Sequence, residues 1–179
     1  MTKLNTACSA AIAAAFAMII PQVSFAEVPN IQTKGAVIHL ADNLGEEAKL
    51  GWCIDTKGQG LNDQLHAHSC KPNGDDVLFS FSPDTGAIES VTYKGKCMAL
   101  SDPENAKIPF GLIACDTADP MQKFSYDTVS MEMHLAADTA QCVTVAATID
   151  EAGPYQSRDL ILAACNGLDP SFKQWVIQN

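Results

Sequence analysis

The stretch CIDTKGQGLNDQLHAHSC, residues 53–70, decides the fold, because its pattern returns twice along the chain. CMALSDPENAKIPFGLIAC spans residues 97–115, and CVTVAATIDEAGPYQSRDLILAAC spans residues 142–165. The opening cysteines, Cys53, Cys97 and Cys142, follow one another at intervals of 44 and 45 residues. A second cysteine closes each stretch, at Cys70, Cys115 and Cys165. Apolar runs precede the opening cysteines (GAVIHL, AIESV, MEMHLA), and others run into the closing ones (QLHAHSC, FGLIAC, LILAAC). Nine or ten residues beyond each closing cysteine stands an aromatic: Phe79 in LFSF, Phe124 in KFSY and Trp175 in QWVI. One structural unit is used three times.

The repetition predicts how the cysteines pair. Equivalent units need equivalent bridges, so Cys53–Cys70, Cys97–Cys115 and Cys142–Cys165 are the expected disulfides. Closing loops of this length is worth about 3 kcal/mol each on the loop-entropy model. Zinc is the weaker reading of the same residues, because the chain has no CxxC pair. The third unit is longer between its cysteines. The extra residues fall around ATIDEAGPYQS, whose Gly-Pro step predicts a longer surface loop. Such additions are tolerated because closure entropy grows slowly with length.

An oxidising compartment is also what the N-terminus predicts. Lys3 supplies a short positive region, AAIAAAFAMII an apolar run, and Ser24 and Ala26 the small residues a signal peptidase needs. Residues 1–26 therefore read as an export signal, cleaved after Ala26, and Cys8 leaves with it. The implied destination is the bacterial periplasm or the exterior, where disulfides persist. Residues 27–34 form a lead-in. Nothing after residue 26 has the roughly 20 apolar residues that span a bilayer. The formal net charge of -10 argues against nucleic acid and anionic membrane surfaces as partners, and leaves neutral ligands open.

Twelve short apolar or alternating segments, four per unit, are separated by turn clusters such as KPNGDD, SPDTG, SDPEN, DTADP and NGLDP. The mature chain carries no long, capped helical period. The expected fold class is all-β, with the three units closed on one another so that no strand edge is left open.

CIDTKG followed by HAHSC resembles the CxD…C unit of ricin B-type lectin repeats. Gln122-Lys123-Phe124 and Lys173-Gln174-Trp175 resemble the QxW signature of that family, and Val77-Leu78-Phe79 keeps its aromatic. The resemblance covers residues 35–179, in repeats of about 35–85, 86–130 and 131–179. It implies a twelve-strand β-trefoil with the repeat aromatics in a shared core, and a carbohydrate-binding role without a cofactor. A site of that family combines a carboxylate for vicinal hydroxyls, a ring for the apolar face of the sugar and further polar groups.

Only the first repeat supplies these elements. Asp55 stands two residues after its opening cysteine, where the other repeats have Ala99 and Thr144. His68 stands two before its closing cysteine, against Ile113 and Ala163, and His66 is two residues earlier. Asp76, three before Phe79, occupies a place where the family often has Asn. The expected sugar site is Asp55, His66, His68 and Asp76. His66 and His68 share one strand face because side chains alternate. Two other readings of this cluster stay open. Asp55 caps a turn while the histidines line solvated surface, or the HxH pair and Asp55 form a zinc or copper site.

No catalytic motif is present: there is no GxSxG, no HExxH and no phosphate-cradling glycine loop. His39 and His134 read as ordinary strand residues, and the acidic runs DNLGEE and GDD as solvated surface without a full calcium loop. The sequence thus predicts a non-catalytic carbohydrate-binding module. The competing expectation is a trefoil that has lost sugar binding and docks a protein partner, as a toxin or enzyme accessory subunit.

Overall fold

The computed structural model describes residues 26–60 and 63–179. The expected export signal lies outside the described residues except for Ala26. The first repeat forms β1 (Val37–Leu40), β2 (Trp52–Thr56), β3 (Leu65–Ser69) and β4 (Phe79–Phe81). The second forms β5 (Ile88–Ser90), β6 (Lys96–Leu100), β7 (Phe110–Ala114) and β8 (Phe124–Asp127). The third contains β9 (Glu132–Leu135), β10 (Asp138–Val145), β11 (Asp150–Ala152), β12 (Tyr155–Arg158), β13 (Leu160–Ala164) and β14 (Trp175–Gln178).

The last strand of each repeat pairs antiparallel with the first strand of the next. β4 pairs with β5, β8 with β9, and β14 returns to β1, which closes the ring. The second and third strands form a hairpin in each repeat: β2 with β3, β6 with β7, and β10 with β13. This is the closed, threefold all-β arrangement that the repetition predicts, and the β-trefoil that the resemblance implies.

The equivalence extends to single bonds. His39 faces Cys53, Glu89 faces Cys97, and His134 faces Cys142 in the three first-to-second strand pairings. The amides of Cys70, Cys115 and Cys165 donate to the carbonyls of Gly51, Gly95 and Ala140, each two residues before the opening cysteine, at 3.0, 2.9 and 2.9 Å. The bridges Cys53–Cys70, Cys97–Cys115 and Cys142–Cys165 bring Cα atoms to 5.0, 4.9 and 5.1 Å. That separation suits an unforced disulfide.

The repeat aromatics have matching roles. Phe79, Phe124 and Trp175 are buried in one core with Ile38, Trp52, Phe110 and Leu112. Their amides donate to the carbonyls of Ala36, Gly86 and Met131, at 3.0, 2.8 and 2.7 Å. Each bond ties the end of a repeat to its entrance. Gly86 has φ 73°, and a Cβ there would lie 2.7 Å from the Phe124 carbonyl oxygen. Only glycine fits that approach.

The insertion in the third repeat departs from expectation. Residues around ATIDEAGPYQS form the β11–β12 hairpin rather than a surface loop, which raises the strand count from twelve to fourteen. β12 adds to the edge of β3 in the first repeat, with Ser157 opposite His68 and Arg158 opposite Ala67. Pairing satisfies backbone groups on both edges that a free loop would leave to water. Arg158 fixes the hairpin from within. Its guanidinium donates to the carbonyls of Ala146, Ala147 and Leu44 at 2.7–2.8 Å and lies 4.7 Å from the centroid of the Trp52 ring.

The core makes a direct prediction. Phe124→Ala or Trp175→Ala should each cost about 3–5 kcal/mol, the range for emptying a buried aromatic position. Urea unfolding at constant pH measures this as a lowered midpoint.

Candidate functional site

β2 and β3 position the candidate side chains. Asp55 on β2 stands opposite His66 on β3, and Cys53 stands opposite His68. The disulfide that joins β2 to the end of β3 therefore lies directly beside the site. The two histidine rings are neighbours on one face, with centroids 5.3 Å apart. Asp55 Oδ2 lies 3.8 Å from His66 Nε2 and 3.7 Å from His68 Nδ1. Asp76 joins the group through a cation between the carboxylates. Lys71 Nζ is 2.8 Å from Asp55 Oδ2 and 2.6 Å from Asp76 Oδ2. The four residues read from the sequence are thus brought together, with a lysine among them.

The cluster is enclosed on its protein side. Asp55 is fully buried, while His68 and Asp76 are 6 % exposed. Among the described residues neither oxygen of Asp55 has an aligned hydrogen-bond donor, although Lys71 is close to one of them. Burial pushes the Asp55 carboxyl up, but His66 and the Lys71 ammonium outweigh it and hold the group below its usual range. Burial also pushes His68 down, more than its bond to the Ser69 carbonyl and the nearby Asp55 raise it. Lys71 loses hydration, yet the two carboxylates hold its ammonium above the ordinary lysine value. The resting cluster therefore holds two carboxylates, one ammonium and a His68 biased toward the neutral imidazole.

A cavity of about 370 Å³ opens over this cluster, lined by Asp55, His66, His68, Lys71 and Asp76 on one side. Ala152, Pro154 and Tyr155 of the third-repeat hairpin form the other side. The Tyr155 ring meets His68 edge-on, with centroids 5.7 Å apart. Lys71 and Tyr155 are the two site residues that reading the sequence missed. Lys71 directly follows the closing cysteine, and Tyr155 is the sole aromatic in the inserted stretch. Those were the available signals, but only the docking of β12 on β3 brings Tyr155 to the first repeat.

The other repeats differ at the same places. Ala99 is buried opposite Gly111, and Thr144 stands opposite Ile161, its hydroxyl donating to the Phe172 carbonyl. The Asp55 cluster also differs from an open metal site, since an ammonium already stands against Asp55 Oδ2. Among the described residues, the atoms of metal-ligand type that converge within 4.8 Å are those of Glu132, His134, Cys142 and Cys165. The two sulfurs there are joined as the third disulfide, so no thiolate is on offer. His39 is buried on β1 and bonded to the Leu40 carbonyl.

Comparison with known proteins gives a consistent picture. No curated protein matches the chain. The C-terminal half of an earthworm R-type lectin, solved in complex with GalNAc, superposes with a TM-score of 0.55 at 16% identity, over 80% of this chain and 96% of the lectin. An agglutinin from Abrus precatorius gives 0.54 at 13% identity, over 79% of this chain, which spans only 45% of the agglutinin. A cytolethal distending toxin from Actinobacillus actinomycetemcomitans gives 0.50 at 15% identity, covering 79% of this chain and 89% of that one. The model of the ricin-type beta-trefoil lectin domain matches residues 44–175. With that match over most of its length, the chain belongs to the ricin-type β-trefoil lectin family.

Proposed function

We propose that this protein is a non-catalytic carbohydrate-binding module with a single sugar site, in its first repeat. The observation that carries the reading is the buried Asp55, under-satisfied in hydrogen bonds and lining a cavity with His66, His68 and Tyr155. A buried carboxylate in this condition is costly unless a partner completes it, and vicinal sugar hydroxyls are donors of the right kind. Asp76 is a second acceptor. An ammonium has three N–H donors. Lys71 donates one of its own to Asp76 Oδ2 and stands 2.8 Å from Asp55 Oδ2 as an ion pair, which leaves N–H capacity for a ligand oxygen. The Tyr155 ring offers an apolar face with a polar end, the surface a pyranose packs against. Membership of the family adds to this reading.

A second reading keeps the fold and drops the sugar. Lys71 already fills the space between Asp55 and Asp76, and the second and third repeats lack the carboxylate. A trefoil of that kind would serve as a protein-docking or toxin accessory subunit. The likeness to the cytolethal distending toxin favours this reading only at the level of fold.

Residues 1–26 are proposed as a cleaved export signal ahead of the lead-in 27–34 and the trefoil 35–179, which makes the mature protein secreted or periplasmic. Among the described residues, no helix is long and apolar enough to cross a membrane.

Three outcomes test these readings. The mature protein should bind immobilised neutral glycans on an array, and Asp55→Asn should reduce that binding at least tenfold. Retention of full binding by the variant would remove Asp55 from the site, while a blank array with a specific protein partner recovered would favour the second reading. N-terminal sequencing of the exported protein should read Glu27 first. Finally, stability should fall on acidification in two stages. His39 and His68 are driven by burial below the ordinary histidine value. Between their folded values and about 6.5, the unfolded chain binds more protons, so stability declines as pH drops through that window. Asp55, held below its ordinary value, adds a second loss once pH falls below about 4. Urea midpoints across this range should show His68→Gln shrinking the first decline and Asp55→Asn the second.

A further inference from the structure

The cavity over Asp55 does not end at Tyr155. A second cavity of about 530 Å³ shares Gln59, Lys71, Asp76 and Tyr155 with it, so the two form one continuous groove. The far end of this groove is lined by Asn73, Asp75 and Tyr93. Tyr93 comes from the second repeat and Tyr155 from the third, so two tyrosines from different repeats border a channel floored by the first.

We propose that the groove takes a neutral glycan of at least two sugar rings, with the second ring seated between Tyr155 and Tyr93. This rests on the sugar-binding reading of the Asp55 site and extends it. Each cavity falls within the range of volumes that hold whole small ligands, so one ring over Asp55 leaves the Tyr93 end unfilled. Tyr93 is held in advance of any ligand. Its hydroxyl donates to the Gln59 carbonyl at 2.6 Å, its amide is bonded to Ser90 Oγ, and its ring packs against Gly60. A tyrosine fixed in this way adds contact area at little entropic cost. Asn73 and Asp75 are exposed at the groove and offer both donors and acceptors to ring hydroxyls.

The floor is equally well fixed. Gly74 lies so near Lys71 that a Cβ would sit 2.8 Å from the lysine Cβ and 3.1 Å from Asp76 Oδ1. The lack of a side chain there keeps the channel open and Lys71 in place between its carboxylates. Charge selects the ligand. Asp55, Asp75 and Asp76 stand against one ammonium, Lys71, so a sialylated or uronic acid glycan meets net repulsion.

The test is calorimetric titration of the mature protein with paired neutral sugars: galactose and its disaccharide lactose, glucose and cellobiose, N-acetylglucosamine and chitobiose. In at least one pair the disaccharide should bind ten times tighter or better, and 6′-sialyllactose should bind more weakly than lactose. Tyr93→Ala should erase the gain from the second ring while leaving the monosaccharide affinity unchanged, and Tyr155→Ala should weaken both. Asn73→Ala, at an exposed position, should cut the gain without touching the fold. A monosaccharide that binds as tightly as its disaccharide, or a gain that survives both Tyr93→Ala and Asn73→Ala, overturns the two-ring groove and leaves the Asp55 site standing. Absence of binding to every sugar overturns both.

Discussion

Three backbone hydrogen bonds, from the amides of Phe79, Phe124 and Trp175 to the carbonyls of Ala36, Gly86 and Met131, hold each repeat closed on itself. Everything else depends on that closure. It delivers an aromatic ring to the common core from each unit, and it aligns the last strand of one repeat with the first strand of the next. The disulfides act at a different level. Each clamps one hairpin, and a repeated amide-to-carbonyl bond beside each bridge keeps the hairpins equivalent. The barrel and the hairpins are thus stabilised by separate sets of bonds, which lets a hairpin change its surface without disturbing the core.

The protein has used that separation unevenly. In the first repeat, β2 and β3 carry a carboxylate and two imidazoles, where the others carry Ala99, Thr144 and aliphatic side chains. Two buried carboxylates so close together would repel, and the Lys71 ammonium between them offsets that repulsion. The β11–β12 hairpin then covers the exposed edge of β3. It is anchored by Arg158, whose charge is spread over three carbonyls and the face of Trp52. The third repeat adds the phenol ring of Tyr155 beside the two imidazoles of the first.

The fold was legible because its causes are local and repeated. Cysteine spacing, alternating strands and a recurrent aromatic each recur three times, and a feature repeated at one interval reads clearly against background. His66 and His68 were legible for a related reason, since strand alternation puts them on one face, and Asp55 through its place in the CxD…C unit that resembles the family's repeat. Lys71 and Tyr155 were not. Lys71 matters through a carboxylate one strand away and another five residues on, and nothing in its neighbours announces that. Tyr155 lies on an insertion whose Gly-Pro turn reads as a loop. Its place depends on pairing between residues about 90 apart, Ser157 and His68, and a single copy of such a segment has no repeat to reveal its partner.

The hairpin that carries Tyr155 lies wholly between Cys142 and Cys165. The third disulfide therefore brackets a segment that walls a cavity in another repeat. Lengthening, shortening or exchanging that segment would remodel the groove while both ends stay fastened to the barrel by a covalent staple. A family built on this plan can diversify what it recognises by editing one bracketed cassette, with the threefold scaffold left as it was.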